Sequence, residues 1–323
     1  MNLSYEFSVG SVRAREKSLL TSADIERLLA CKSESELCSA LSDKGYGEGR
    51  DVDALIASHG EAVWKYLRGI SPDFGIFDPF IIQNDVHNLK VILKGTMSAR
   101  KYDHLLIEPR TIDTELLKQA VEGRKGSLLP EWISEASDRA YDLISKKGDA
   151  RESDAVIDKA AMEHMLRLAS QWKSPFLKEY FNTLVFYNNI KIALRCSKTR
   201  VNRDFLEDAL CEVRDFRRDE VINAVLKGGE ALITLLSKCS EYGLDKAMEE
   251  YKTSPSLFEK YVDNRLIKLS RDCCKRTSEG AEPLLGYYLG SEAEKKVIHI
   301  ISSGIRTKTD SETVRERLRD IYG

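Results

Sequence analysis

Apolar side chains recur at spacings of three and four along the stretch from Phe176 to Leu194: Phe176, Leu177, Tyr180, Leu184, Tyr187, Ile190 and Leu194 fall on one helical face. The same pattern occurs three times, at landmarks roughly a hundred residues apart, the signature of repeated helical units. Phe80–Lys94 reads FIIQNDVHNLKVILK, Phe181–Arg195 reads FNTLVFYNNIKIALR and Leu289–Ser303 reads LGSEAEKKVIHIISS, and the three align without a gap. Asn88 then falls on Asn189, Lys90 on Lys191 and Lys94 on Arg195. The third copy keeps the apolar positions Ile298, Ile300 and Ile301 and has Val297 in place of the asparagine.

The similarity extends upstream. Ile25–Gly47 lies over Val221–Gly243, with the closing Tyr-Gly pair at the same offset, and Thr114–Gly123 matches Asp219–Gly228. An amphipathic helix follows each, over about Ala54–Arg68, Ala155–Ala169 and Leu257–Arg271. The pattern predicts an all-α chain of three similar units, each a short hairpin followed by two longer helices. The expected divisions are an N-terminal segment 1–21 packing on the modules, modules 22–111, 112–217 and 218–306, and a C-terminal helix over 307–323. Asp78-Pro79 and Ser174-Pro175 predict an N-cap followed by proline at the first helical position. Thr21-x-x-Asp24 and Ser33-x-x-Glu36 read as capping boxes, and Gly95, Gly123 and Gly228 as helix ends.

Composition narrows the class. The 323 residues are 42% apolar and 32% charged, a highly charged helical chain. No run of eighteen apolar residues exists and the N-terminus lacks an apolar signal core, so any membrane role is expected to be peripheral. Fifty basic and 52 acidic residues give a net charge of −2, with no global pull toward nucleic acid or an anionic membrane. The cysteines (Cys31, Cys38, Cys196, Cys211, Cys239, Cys273, Cys274) show no paired two-residue spacing and read as reduced cytosolic thiols.

Catalytic chemistry is not apparent. No phosphate-cradling loop ends in Lys-Ser or Lys-Thr, and Gly45–Gly49 and Gly228-Gly229 read as turns between helices. His59, His87, His104, His164 and His299 never pair at metal-ligand spacing, so no metal, nucleotide or other cofactor is expected. Glu292 and Glu294 resemble a catalytic couple, but side chains two apart on a helix diverge. Asn88 and Asn189, inside apolar helices, need partners; a hydrogen bond to a neighbouring helix's backbone would fix the register between modules, with Lys90 and Lys191 beside them. Ligand binding is the alternative.

In succession, Tyr5 with Val12–Glu16 (VRARE) and Leu19-Leu20, Asp85–Gly95 (DVHNLKVILKG), Asn188–Arg195 (NNIKIALR), Pro283–Gly304 (PLLGYYLGSEAEKKVIHIISSG) and Arg315–Gly323 (RERLRDIYG) resemble the C subunit of the prokaryotic A/V-type rotary ATPases, the relative of the d subunit of the vacuolar ATPase. The resemblance covers essentially the whole chain. It departs at Val297, where the family tends to have another Asn, and at His299, where Arg or Lys is usual. It implies three modules in a pseudo-threefold funnel, with no catalytic residues: a socket between the central-stalk subunits and the membrane proteolipid ring, on the cytoplasmic face, within a complex coupling ATP to proton or sodium transport. The basic helix ends Lys94, Arg100, Lys101, Arg195, Lys198, Arg200, Arg306 and Lys308 would then gather into a positive ring facing an acidic stalk or lipid headgroups, if they are not simply solvated caps. A helical-repeat adaptor outside the rotary ATPases would show the same self-similarity without the terminal motifs, and an enzyme would need a clustered site.

Overall fold

The computed structural model describes residues 4–323, and among them every regular element is helical. The α-helices in chain order are α1 (Tyr5–Arg15), α2 (Ser22–Leu29), α3 (Glu34–Asp43), α4 (Val52–Ile70), α5 (Asp78–Ser98), α6 (Thr114–Glu122), α7 (Glu131–Asp142), α8 (Ala150–Gln171), α9 (Pro175–Cys196), α10 (Arg203–Ala209), α11 (Arg218–Lys227), α12 (Gly229–Leu236), α13 (Leu244–Thr253), α14 (Pro255–Cys274), α15 (Glu282–Thr307) and α16 (Ser311–Arg317). Short hairpins α2–α3, α6–α7 and α11–α12 are each followed by a long pair: α4–α5, α8–α9 and α14–α15.

Side-chain caps place the helix starts. Asp51 accepts from Ala54 N–H at 2.8 Å, Asp149 accepts from Arg151 and Glu152, and Ser254 accepts from Leu257 N–H at 3.2 Å ahead of Pro255. These caps lie upstream of the apolar pattern, so α4, α8 and α14 are longer than the periodicity predicts. Ser174 caps α9 as expected, and Thr21 and Asp24 form a reciprocal capping box. Three expectations need correction. Asp78 is not an N-cap, because a 3-10 turn over Phe74–Phe77 runs directly into α5. Ser33 accepts from Glu36 N–H, but the Glu36 carboxylate turns back to Lys32 N–H at 2.8 Å, so that box is half-formed. Gly95 does not end α5; a Cβ there would stand 2.6 Å from Tyr102 Cγ, so this glycine admits a ring, and the helix ends at Ala99 with φ 52°.

The chain forms two compact units. One is made of the residues up to Gly75 together with Ala247–Gly323, the other of Ile76–Lys246. At the centre of the first is α15, on which α1, α2, α3, α4, α14 and α16 all pack. Its N-terminal half is buried nearly all round, as a helix surrounded by others must be. The helix expected over 307–323 is confined to α16, because Leu318 turns extended, and past it the chain runs as a strap along α14: Arg319 pairs with Asp263 at 3.0 Å, and the Asn264 amide bonds both the backbone N–H and the carboxylate of Asp320. Tyr322, 1% exposed, sits against Gly286 and Gly290. In the second unit α5 carries α6 and α8, α7 and α9 pack on α8, and α9 carries α11 and α12.

Two glycine substitutions should change stability with opposite sign. A Cβ at Gly290 would lie 2.9 Å from Tyr322 Cβ and 3.0 Å from Leu19 Cδ1, whereas one at Gly10, mid-helix in α1, meets nothing within 4 Å. Gly290→Ala is expected to cost about 1–3 kcal/mol by overpacking. Gly10→Ala should gain about 0.5–1 kcal/mol by restricting the unfolded chain. Urea unfolding followed by circular dichroism tests both, and shifts of equal sign would refute the packing assigned to Tyr322.

Candidate functional site

The buried carboxyl and amide side chains, Asp85, Asn88, Asn189 and Glu294, fall at one recurring place, where α5, α9 and α15 each meet the segment leading into a hairpin. On α5, Asn88 is fully buried and closes a two-way bond with one residue: Nδ2 donates to the Ile107 carbonyl at 3.0 Å, and Ile107 N–H donates to Oδ1 at 2.8 Å. On α9, Asn189 does the same with Cys211, at 2.8 Å and 3.1 Å. Ile107 and Cys211 each lie seven residues before the first residue of the following hairpin, Thr114 and Arg218. The amide side chain is suited to this, since it offers a donor and an acceptor side by side to a backbone stretch outside any helix. Both partners are irregular linker, not the helix backbone expected from sequence.

One turn earlier on each helix, a second residue secures the last step before the hairpin. Asp85, 1% exposed, accepts from Thr111 N–H at 2.9 Å, Ile112 N–H at 3.0 Å and the Thr111 hydroxyl at 2.5 Å. Burial raises its pKa, and those donors work against the rise. At the same register on α9 stands Phe186, whose ring meets Phe216 edge-on with centroids 6.0 Å apart. On α15 it is Glu294, 2% exposed, which accepts from Leu20 N–H and, at 2.7 Å, from the Tyr46 hydroxyl. Ile112, Phe216 and Leu20 each precede the first residue of their helix by two.

Val297 is accounted for by its neighbours. Arg15, seven before Ser22, is the last residue of α1 and bonds Tyr287, ten residues before Val297 on α15, while Val297 belongs to an apolar cluster with Leu20, Ile25 and Leu28. In that cluster a buried valine leaves nothing unpaired. Sequence reading missed Asp85, Phe186 and Glu294 as a set. Their signal was a shared column of the gapless repeat, three positions before the asparagine.

The charged residues singled out from sequence separate into two groups. Lys90 donates to Asp158 at 2.5 Å and Lys94 to Asp154 at 2.7 Å, joining α5 to α8. Arg306 donates to Glu34 at 2.5 Å and Asp53 at 3.1 Å, and His299, at the register of Lys90, lies 3.6 Å from Asp53. Solvent screening keeps the contribution of each such partly exposed pair small. Arg100, Lys101, Arg195, Lys198, Arg200 and Lys308 are exposed, and Lys191 is half-buried on α9. Arg195 also lines a pocket of about 280 Å³ with Arg151, Asp154 and Asp158, where both signs of charge meet.

The remaining titratable groups are packed structurally. His59 stacks on Tyr46 with centroids 4.0 Å apart, and burial, then Lys295 and Arg15, push it down to about 4. His164 stacks flat on Trp132 and is pushed down to about 4 by burial. Burial pushes the Cys211 thiol up to about 12 and Cys239 to about 11, which keeps both protonated and unreactive at neutral pH. Glu292 pairs with Lys295 while Glu294 points into the core, so the two carboxylates do diverge. Among the described residues no group of three or more His, Cys, Asp or Glu could hold a metal ion, and no helix is long and apolar enough to cross a membrane.

Known proteins are similar to this chain over most of its length. The ATP synthase (C/AC39) subunit family matches residues 8–317. The C subunit of the V-type sodium ATPase of Enterococcus hirae is 21% identical over 96% of this chain and 97% of its own length. The C subunit of the A-type ATP synthase of Methanothermobacter thermautotrophicus is 22% identical over 91% of this chain and 82% of its own. The corresponding C subunit of the V-type ATP synthase of Thermus thermophilus is 23% identical over 36% of this chain and 37% of its own. The chain belongs to the ATP synthase (C/AC39) subunit family, as a C subunit of the A/V-type rotary ATPases.

Proposed function

We propose that this subunit is the non-catalytic socket of the rotor, seated between the central-stalk subunits and the proteolipid ring on the cytoplasmic side of the membrane, and transmitting torque during ATP-linked proton or sodium transport. The observation that carries it is how the buried polar side chains are used. Asn88, Asn189, Asp85 and Glu294 all bind helix to linker within the protein, where an enzyme would aim such groups at a substrate. A part that transmits torque needs stiffness and contact surface, and joints fixed by paired hydrogen bonds in a closely packed interior supply the first. Family membership runs against the adaptor alternative.

The threefold order of hairpin and long helices supports three modules, 22–111, 112–217 and 218–306, about a pseudo-threefold axis as a funnel. The exposed basic residues Arg100, Lys101, Arg200 and Lys308 are the part of the proposed positive ring best placed to meet an acidic stalk surface. Lys94 and Arg306 already hold acidic partners inside the fold.

Size-exclusion co-elution with the two central-stalk subunits of the source organism, with ATP binding to the chain alone as control, tests the socket. A stable complex without nucleotide binding is expected, and nucleotide bound tightly by the isolated chain would overturn the proposal. Arg100→Glu with Lys101→Glu should weaken that complex about tenfold or more at low salt, less as salt screens the charges; unchanged binding would remove these residues from the interface. The register role of the asparagines has its own test by chemical denaturation. Asn189→Ala should cost about 2–3 kcal/mol, because it strands the fully buried Cys211 backbone, and Asn88→Ala nearer 1 kcal/mol, because Ile107 is 38% exposed and water can replace the amide.

A further inference from the structure

The three junctions differ in how they are tethered. From α5 to α6, and from α9 to α11, the chain itself runs through the linker, so each junction closes a short loop. Leu20 and Glu294 are 274 residues apart, and at this junction noncovalent contacts replace the tether. The two donors on Glu294, a backbone amide and a phenol, are both neutral.

The charged and titratable groups around it are already occupied. Asp24 of α2 pairs with Lys44 at 2.7 Å, its charge opposing ionisation of Glu294 and that of Lys44 favouring it. Lys295, next along α15, is held by Glu292; Tyr287 of α15 is hydrogen-bonded to Arg15; His59 of α4 stacks on Tyr46 and stays neutral above pH 5. With no cation bonded to it, a buried carboxyl resists ionisation. Burial pushes Glu294 up to about 7 against the Tyr46 and Leu20 donors.

We propose that this junction is a pH-sensitive seam, closed on α15 over Leu20–Tyr46 while the Glu294 carboxyl is neutral and loosened when it ionises. The neutral acid keeps both contacts: its carbonyl oxygen accepts from Leu20 N–H, and its hydroxyl shares a hydrogen bond with the Tyr46 oxygen. Ionisation leaves a charge sealed from water. An opened seam returns the carboxyl to its ordinary range near 4.5, so the closed state binds more protons between there and about 7. Closure is therefore favoured most at acid pH and is lost as pH rises through 7.

Hydrogen–deuterium exchange on the full chain, corrected for the intrinsic rate and followed from about pH 5 to about pH 8, reads the seam directly. Exchange across residues 17–46 should rise by roughly tens of fold, while residues 205–218, at the junction without a carboxylate, stay level. Glu294→Gln, which preserves both contacts, should abolish the rise. A rise that persists in Glu294→Gln, or that is equal in the two segments, overturns the proposal. Should that variant fail to fold, Tyr46→Phe gives a second test: losing a donor that favours the ionised form must move the rise to higher pH, and an unchanged midpoint is equally fatal.

Discussion

A backbone segment that leaves one helix and must enter another across a packed surface carries N–H and C=O groups with no helical partner and limited access to water. In this protein that constraint falls at the same register of α5, α9 and α15, and the side chains there exist to answer it. Asn88 and Asn189 each match one residue's donor and acceptor with their own. Leaving such a pair open in an apolar interior would cost about 1–3 kcal/mol per group, comparable with a large part of a domain's net stability. These bonds fix the segments from which the hairpins start.

The same constraint also explains why the three copies are not identical. A carboxylate at the earlier register suits a linker that presents N–H groups and a hydroxyl, as Thr111 and Ile112 do to Asp85. A phenyl ring suits one that presents another ring, as Phe216 does to Phe186. Where the third copy faces an apolar cluster that includes Leu20, Ile25 and Leu28, Val297 fills the asparagine's place. What looks like loss of a repeat residue is the outcome of a different partner. The N-terminal segment is also bound at other points: Arg13 donates to the carbonyls of Cys274 and Thr277 at 2.6 Å each, satisfying the end of α14, and Ser8 donates to Ile70 O at 2.5 Å.

Much of this was legible in the sequence. Helical periodicity, proline and serine caps and the gapless repeat gave the elements and their order, because each is a local property of a few consecutive side chains. The buried asparagines stood out as polar residues in apolar stripes. Partners were harder to read, since periodicity reports that a face is buried and says nothing about against what. Nothing local marks α15 as the helix that carries α2 and α3, or Glu294 as bound to Leu20, 274 residues away. Gly95 misled for a related reason: a glycine that admits the Tyr102 ring has the same letter as one that ends a helix. Helix α10 is a single short turn pair whose apolar content is too small to register as a period.

Perturbed titration gathered in one cleft is the usual mark of an active site. Here Tyr46, His59 and Glu294 are displaced together at one junction and the others stand apart, and each has a local cause in the packing: His59 and His164 stacked on aromatic rings, Cys211 beside the Asn189 clamp, Asp85 and Glu294 at their junctions. The 280 Å³ pocket that collects Arg151 and Arg195 also contains Asp154 and Asp158, already paired to Lys94 and Lys90. Charge on this protein serves to lock helices together or to face solvent. A fold held this way tolerates wide sequence drift provided each helix register keeps an answer to the segment opposite it. Relatives at 21–22% identity over nearly the whole chain fit that tolerance.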